Sequence, residues 1–151
     1  SCTIKQSAYE IFSCNRPINT ESFPNISFLE NINSIPFKSF VLKNKNYSKI
    51  PDYAFKNFRI INLDLSNNHI QKITNKSFNF LFNLITLTLT KNLLIALEPD
   101  SFRFLSNLTY LNLDQNKIES VKENAFRGLK NLNQIDLSVN SIKKIEKFAF
   151  I

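Results

Sequence analysis

One spacing governs this chain. Leu-rich segments begin at Phe37, Ile60, Leu84, Leu108 and Leu132, so successive starts lie 23, 24, 24 and 24 residues apart. Within each unit the first, fourth, sixth, eleventh, fourteenth and nineteenth positions are apolar or aromatic, at all 30 occurrences. A period of this length marks a supersecondary unit that cannot bury its apolar side alone and must stack on copies of itself. In the third unit the six positions are Leu84, Leu87, Leu89, Leu94, Leu97 and Phe102. The alternating core of each unit, L-x-L in the middle three, predicts a short strand with one face buried.

Two further positions are nearly fixed. The ninth is Asn68, Asn92, Asn116 and Asn140 in the last four units, with Lys45 in the first. An Asn side chain offers both donors and an acceptor. Just after the strand, where the backbone turns inward, it can satisfy main-chain groups of its own unit and the next. The expectation is a hydrogen-bonded Asn ladder beginning at Asn68. The nineteenth position is always Phe: Phe55, Phe78, Phe102, Phe126 and Phe150. These rings should stack into a spine on the side opposite the strands.

The residue inventory excludes several kinds of chemistry. With one Gly, Gly128, the chain cannot build a Gly-rich phosphate loop. With one His, His69, and two Cys, it cannot build a zinc site of the usual His/Cys kind, and no metal or cofactor is expected. His69 follows Asn68 in a turn with no nucleophile positioned for it. Asp64 and Asp136 share the fifth repeat position but lie three coils apart, about 14 Å at ordinary strand spacing. That is too far for paired action on one bond, so no enzyme is expected. The net charge of +7 has two readings. One is an anionic partner. The other is a coding bias that raises Asn, Lys, Ile and Phe together.

The pattern L-x-x-L-x-L-x-x-N-x-[IL]-x-x-[ILV]-x-x-x-x-F-x-x-[LF] over residues 37–151 resembles the 24-residue type of leucine-rich repeat. The resemblance implies an α/β repeat solenoid: curved and right-handed, with a concave parallel β-sheet and a mostly irregular convex side. It is similar to extracellular members, above all the N-terminal part of a Toll-like receptor ectodomain. The implied function is a ligand- or protein-binding module of an extracellular recognition receptor in innate immunity. The alternative is a secreted matrix, adhesion or guidance protein of the proteoglycan or Slit kind.

Residues 1–36 lack the repeat and are read as an N-terminal cap and connector, with one degenerate repeat around Phe28 and Ile35. Cys2 and Cys14 would close a hairpin over the first coil as a disulfide, similar to the two-Cys cap of Toll-like receptor ectodomains. The alternative is two buried free thiols in a cytosolic protein. Sequons stand at Asn25, Asn46, Asn75 and Asn107. With the cysteine pair they favour a secretory route and an extracellular location. The chain opens Ser1-Cys2-Thr3 with no initiator Met and stops inside its fifth unit. The expectation is therefore a piece of a longer protein. No apolar run is long enough to span a membrane, so no direct membrane contact is expected in this segment.

What remains is a surface. The outward strand positions carry Tyr110, Asn112, Asp114, Asp64 and Asp136, with Lys91 on the flank. These are the candidate binding residues for a protein or other macromolecule. The carboxylates make nucleic acid unfavourable on this face, because they repel phosphate. Five strands at about 4.8 Å give a strip of a few hundred Å², below the roughly 800 Å² per partner of a standard interface.

Overall fold

The computed structural model describes the backbone of residues 2–5 and 11–14, and residues 39–56 and 58–150 in full. The degenerate repeat around Phe28 and Ile35, the sequon at Asn25 and the first-unit residue Phe37 lie outside the described residues.

Among the described residues, ten strands form two sheets. Strands β1 (Cys2–Lys5) and β2 (Ile11–Cys14) form an antiparallel hairpin. Parallel to β2 and to one another run β3 (Ser39–Val41), β4 (Asn62–Asp64), β5 (Thr86–Thr88), β7 (Tyr110–Asn112) and β9 (Gln134–Asp136). Together they make a seven-stranded sheet in the order β1-β2-β3-β4-β5-β7-β9. On the opposite side of the coils, β6 (Ala96–Leu97), β8 (Ser120–Val121) and β10 (Lys144–Ile145) form a smaller parallel sheet. The rest of the convex side is turns, and no helix occurs among the described residues. The expected repeat solenoid, with its parallel sheet and mostly irregular opposite side, is what the fold shows, and it is a β-solenoid throughout the described residues. From β3 on, each strand of the large sheet follows the last by one coil, and the register never slips. Phe40, Leu63, Leu87, Leu111 and Ile135 are paired in one row.

That row is the inner face of the sheet. Phe40, Leu63, Leu87 and Leu111 are buried, as are Leu42, Leu65, Leu89 and Leu113 two residues on. From the far side the Phe rings come to meet them. Phe55–Phe78, Phe78–Phe102 and Phe102–Phe126 stack at 6.5, 6.1 and 6.0 Å with planes within 12° of parallel. Phe126 and Phe150 continue the column at 4.6 Å. Phe40 meets Phe55 edge-on at 6.3 Å, joining the two halves of the first described coil.

The ninth-position Asn side chains lie between the coils. Asn92 donates from Nδ2 to the carbonyls of Leu89, in its own coil, and Leu65, in the preceding one, both at 3.0 Å. Its Oδ1 accepts from the Ile70 amide, again in the preceding coil, at 3.0 Å. Asn116 repeats this with Leu113, Leu89 and Leu94, and Asn140 with Leu137, Leu113 and Ile118. Asn68 does the same with Leu65 and Leu42, and accepts from both Lys45 and Tyr47. Each Asn therefore reaches back to the preceding coil, not forward to the next. The reason is geometric: the carbonyl three residues upstream and its parallel-sheet neighbour lie side by side, within reach of one NH₂ group.

The turn just before this Asn is left-handed in every unit, with φ of 60, 53, 56, 53 and 48° at Asn44, Asn67, Lys91, Gln115 and Val139. L-residues are strained there. A coil-to-coil bond holds each of the first four: the Lys91 amide, for instance, donates to the Asp114 carbonyl at 3.0 Å. Glycine is needed at only one place. Gly128 has φ +95°, and a Cβ on it would collide with the Arg103 carbonyl oxygen.

Two substitutions test this packing by chemical denaturation. Phe102→Ala should cost about 3–5 kcal/mol by opening a cavity in mid-column. Gly128→Ala should cost upwards of about 2 kcal/mol, because strain and the backbone clash add. A loss below about half a kcal/mol at either position would mean that the coils are not stacked in this register.

Candidate functional site

Strand pleating sends the third and fifth residues of each unit outward while the fourth goes in. The concave strip is thus built from Tyr110, Asn112, Asp64, Asp136 and their row-mates, all on strands whose register is fixed by the core. Asp64, Thr88, Asn112 and Asp136 form one row across the sheet. Two intervening strands therefore separate the carboxylates of Asp64 and Asp136.

The centre of the strip is a connected polar group. Asn112 Nδ2 donates to the Tyr110 hydroxyl at 3.1 Å. Asn112 Oδ1 accepts from the Thr90 hydroxyl at 2.8 Å and from the Asp114 amide at 2.9 Å. Gln115 Nε2 donates to Asp114 Oδ2 at 2.7 Å. Tyr110, Asn112 and Asp114 are thereby brought together and pre-positioned. Asp64 and Asp136 stand to either side. Asp64 Oδ1 accepts from the Ser66 amide at 2.9 Å, and Lys43 lies 4.0 Å from its other oxygen. The Ser138 hydroxyl and amide both donate to Asp136 and hold its carboxyl below the usual aspartate range. Lys91 is exposed in its left-handed turn, joined to the group only through its amide on the Asp114 carbonyl.

Most of the cations sit elsewhere. Arg127 pairs with Asp100 at 2.6 Å, Lys143 with Glu119 at 2.9 Å, and Lys122 and Lys144 both with Glu146 at 3.4 and 3.3 Å. The Glu123 amide and these lysines keep the Glu146 carboxyl below its ordinary range. Among the described residues, no three His, Cys, Asp or Glu side chains gather as a metal site would require. His69 is exposed, and its amide donates to the Tyr47 carbonyl.

The remaining sequence candidates fall as follows. Cys2 and Cys14 are directly opposed across the β1–β2 ladder. Asn46 is exposed in a turn with φ 60°, next to the fully buried Tyr47. That burial pushes the Tyr47 hydroxyl up to about 12. Asn75 is exposed, but Ser77 of the same sequon is buried. Asn107 is exposed on the lateral flank.

That flank is a feature the repeat template does not reveal. A groove of about 770 Å³ runs along it, between Arg59 at one end and Lys130 at the other, over Ile61, Ile85, Asn107 and Thr109. Asn107 Nδ2 donates to the Phe82 carbonyl at 2.8 Å, and Asn131 Nδ2 to the Ser106 carbonyl at 2.8 Å. This is a second set of Asn bridges between coils. Its signal in the sequence is Asn83, Asn107 and Asn131, each immediately before the first Leu of a unit. Beside it runs a chain of rings: Tyr53–Phe80 at 6.1 Å, Phe80–Phe82 at 6.4 Å and Phe82–Phe104 at 6.2 Å. Tyr53, Phe80 and Phe82 are exposed, as is Ile85.

The family model described as "Leucine rich repeat" matches residues 59–118 and 106–151, more than half of the chain. The chain belongs to the leucine-rich repeat family. No curated protein matches it at a significant level. Among solved structures, the leucine-rich repeats resemble the one titled "Crystal structure of TLR13-ssRNA13 complex", with 28% identity and a TM-score of 0.74. The alignment covers 85% of this chain and 17% of that one, so the chain spans less than a fifth of the protein it resembles.

Proposed function

We propose that these leucine-rich repeats are a recognition segment of an extracellular receptor of the Toll-like kind, and that the concave strip around Tyr110 contacts a macromolecular partner. The observation that carries the reading is the Tyr110–Asn112–Thr90–Asp114 network. Polar side chains fixed by their neighbours lose little freedom on binding, and an aromatic ring with a polar tip suits the centre of an interface. The 28% identity to the TLR13 chain supports the receptor class. That structure is titled as an RNA complex. Here Asp114 at the centre of the strip and Asp64 and Asp136 to either side would repel phosphate, so the partner on this face is a protein or another ligand without a phosphate backbone.

The extracellular reading draws support from the cysteines. Directly opposed residues of an antiparallel pair have Cα atoms about 4.5–5.5 Å apart, within the span a disulfide bridges. Peptide mapping of the non-reduced protein should recover Cys2 and Cys14 in one crosslinked fragment. Two freely alkylated thiols in protein from a secretory host would contradict it.

The binding face is tested in the full-length protein. Tyr110→Ala and Asp114→Ala should each lower partner affinity about tenfold, roughly 1.4 kcal/mol, with the melt unchanged. Lys72→Ala and Lys144→Ala should leave it within about twofold. The reverse pattern, with affinity falling steeply as salt rises, would move the site to the lysine-bearing turns and restore an anionic ligand.

A further inference from the structure

The lateral groove and the backbone that carries the exposed Phe82 are joined by one side chain, Asn107. It lines the groove, it begins the sequon Asn107-Leu108-Thr109, and its amide is held 2.8 Å from the carbonyl of Phe82. Thr109 lines the same groove. The groove itself is lined mostly by polar side chains, among them Asn83, Asn131 and Asn133, and outside it stand exposed apolar ones: Phe82 and Phe80 are 46 and 38% exposed, Ile85 on the groove is 42% exposed, and Phe82 is in ring contact with both Phe80 and Phe104. A contiguous apolar surface of this kind calls for a cover.

We infer that Asn107 carries an N-linked glycan whose first sugars lie in the lateral groove and over the Phe82 ring, so that this flank is shielded by the chain's own modification. The inference rests on the extracellular reading above. The bond is made by transfer from a polyprenyl-diphosphate-linked oligosaccharide. The anomeric carbon leaves its phosphate oxygen and bonds to Asn107 Nδ2, the amide gives up one proton, and the lipid diphosphate departs. The amide that remains keeps one N–H, enough to preserve the bond to the Phe82 carbonyl. The attachment therefore leaves the coil-to-coil bridge intact. The polarised C–H faces of a pyranose suit the negative face of an aromatic ring, and the groove volume of about 770 Å³ leaves room for more than one sugar.

The other described sequons lack this setting. The amides on both sides of Asn46, those of Lys45 and Tyr47, donate to the buried Asn68 side chain, and Asn46 does not line the lateral groove. At Asn75 the sequon hydroxyl, Ser77 Oγ, is turned inward to the Thr74 amide at 3.0 Å. A glycan at Asn107 also divides labour between surfaces. It closes the flank to a macromolecular ligand and leaves the concave strip open.

The test directs the chain through a eukaryotic secretory pathway and maps its peptides by mass. The Asn107 peptide should carry sugar, and peptide-N-glycosidase should leave an aspartate in place of the asparagine there. Thr109→Val, which removes the sequon and keeps Asn107, should raise binding of the apolar dye bis-ANS at least about threefold, as should enzymatic removal of the sugar from the unaltered protein. Adding Phe82→Ser to Thr109→Val should bring the dye signal back toward its starting value. A bare Asn107 in protein whose Cys2–Cys14 crosslink shows secretory passage would overturn the inference, and so would a dye signal indifferent to the sugar. Protein from its natural source with reduced cysteines, alongside a sugar-bearing Asn107 from the secretory host, would refute the receptor reading and uphold the site.

Discussion

A few residues past each strand the backbone turns toward the interior, and some of its amides and carbonyls find no backbone partner in the sheet ladder. An Asn side chain at the ninth position supplies the missing partners. Asn68, Asn92, Asn116 and Asn140 each bond a carbonyl of their own coil and one of the coil before, and accept an amide from that preceding coil. Because the bonds cross between coils, they set one coil's position against the next. The core row from Phe40 to Ile135 and the Phe column then stay in register, and so do the outward columns that form the concave strip. Buried main-chain groups left without these partners would each cost about 1–3 kcal/mol.

Much of this is legible in the sequence because a repeat writes the same constraint several times. One Asn or Phe in an Asn- and Phe-rich chain says little; Phe55, Phe78, Phe102, Phe126 and Phe150 in one slot say a good deal. The strands, the inner face and the ring column follow from that periodicity. The direction in which the Asn side chains reach does not, since it depends on which neighbouring carbonyl lies beside the residue three positions upstream. The small sheet of β6, β8 and β10 is equally hidden. Segments such as Ala96–Leu97 and Lys144–Ile145 are two residues long and carry no alternation to read.

The lateral flank shows where a template misleads. The six apolar positions of the unit account for most of the core, with Phe58, Leu81 and Leu105 added to them, and Phe80, Phe82 and Ile85 fall outside it. They are exposed, and only their proximity in space makes them a surface. Asn107 is visible as a sequon, and its place in register with Asn83 and Asn131 is the one sign in the sequence of a coil-to-coil bridge. The concave strip is easier to read, since outward strand positions follow from the pleat, yet the Tyr110–Asn112–Thr90 network joins residues of two coils that no spacing rule connects.

The most direct test of the account is residue-resolved amide hydrogen exchange in Asn92→Ala. The Ile70 amide donates to Asn92 Oδ1, whereas the Ile118 amide donates to Asn140 Oδ1. The ladder predicts that Ile70 exchanges about 10–100-fold faster in the variant, in line with a loss of about 1–3 kcal/mol, while Ile118 changes far less. An Ile70 amide as protected in Asn92→Ala as in the unaltered chain would show that the Asn side chains decorate the coils and do not hold them in register.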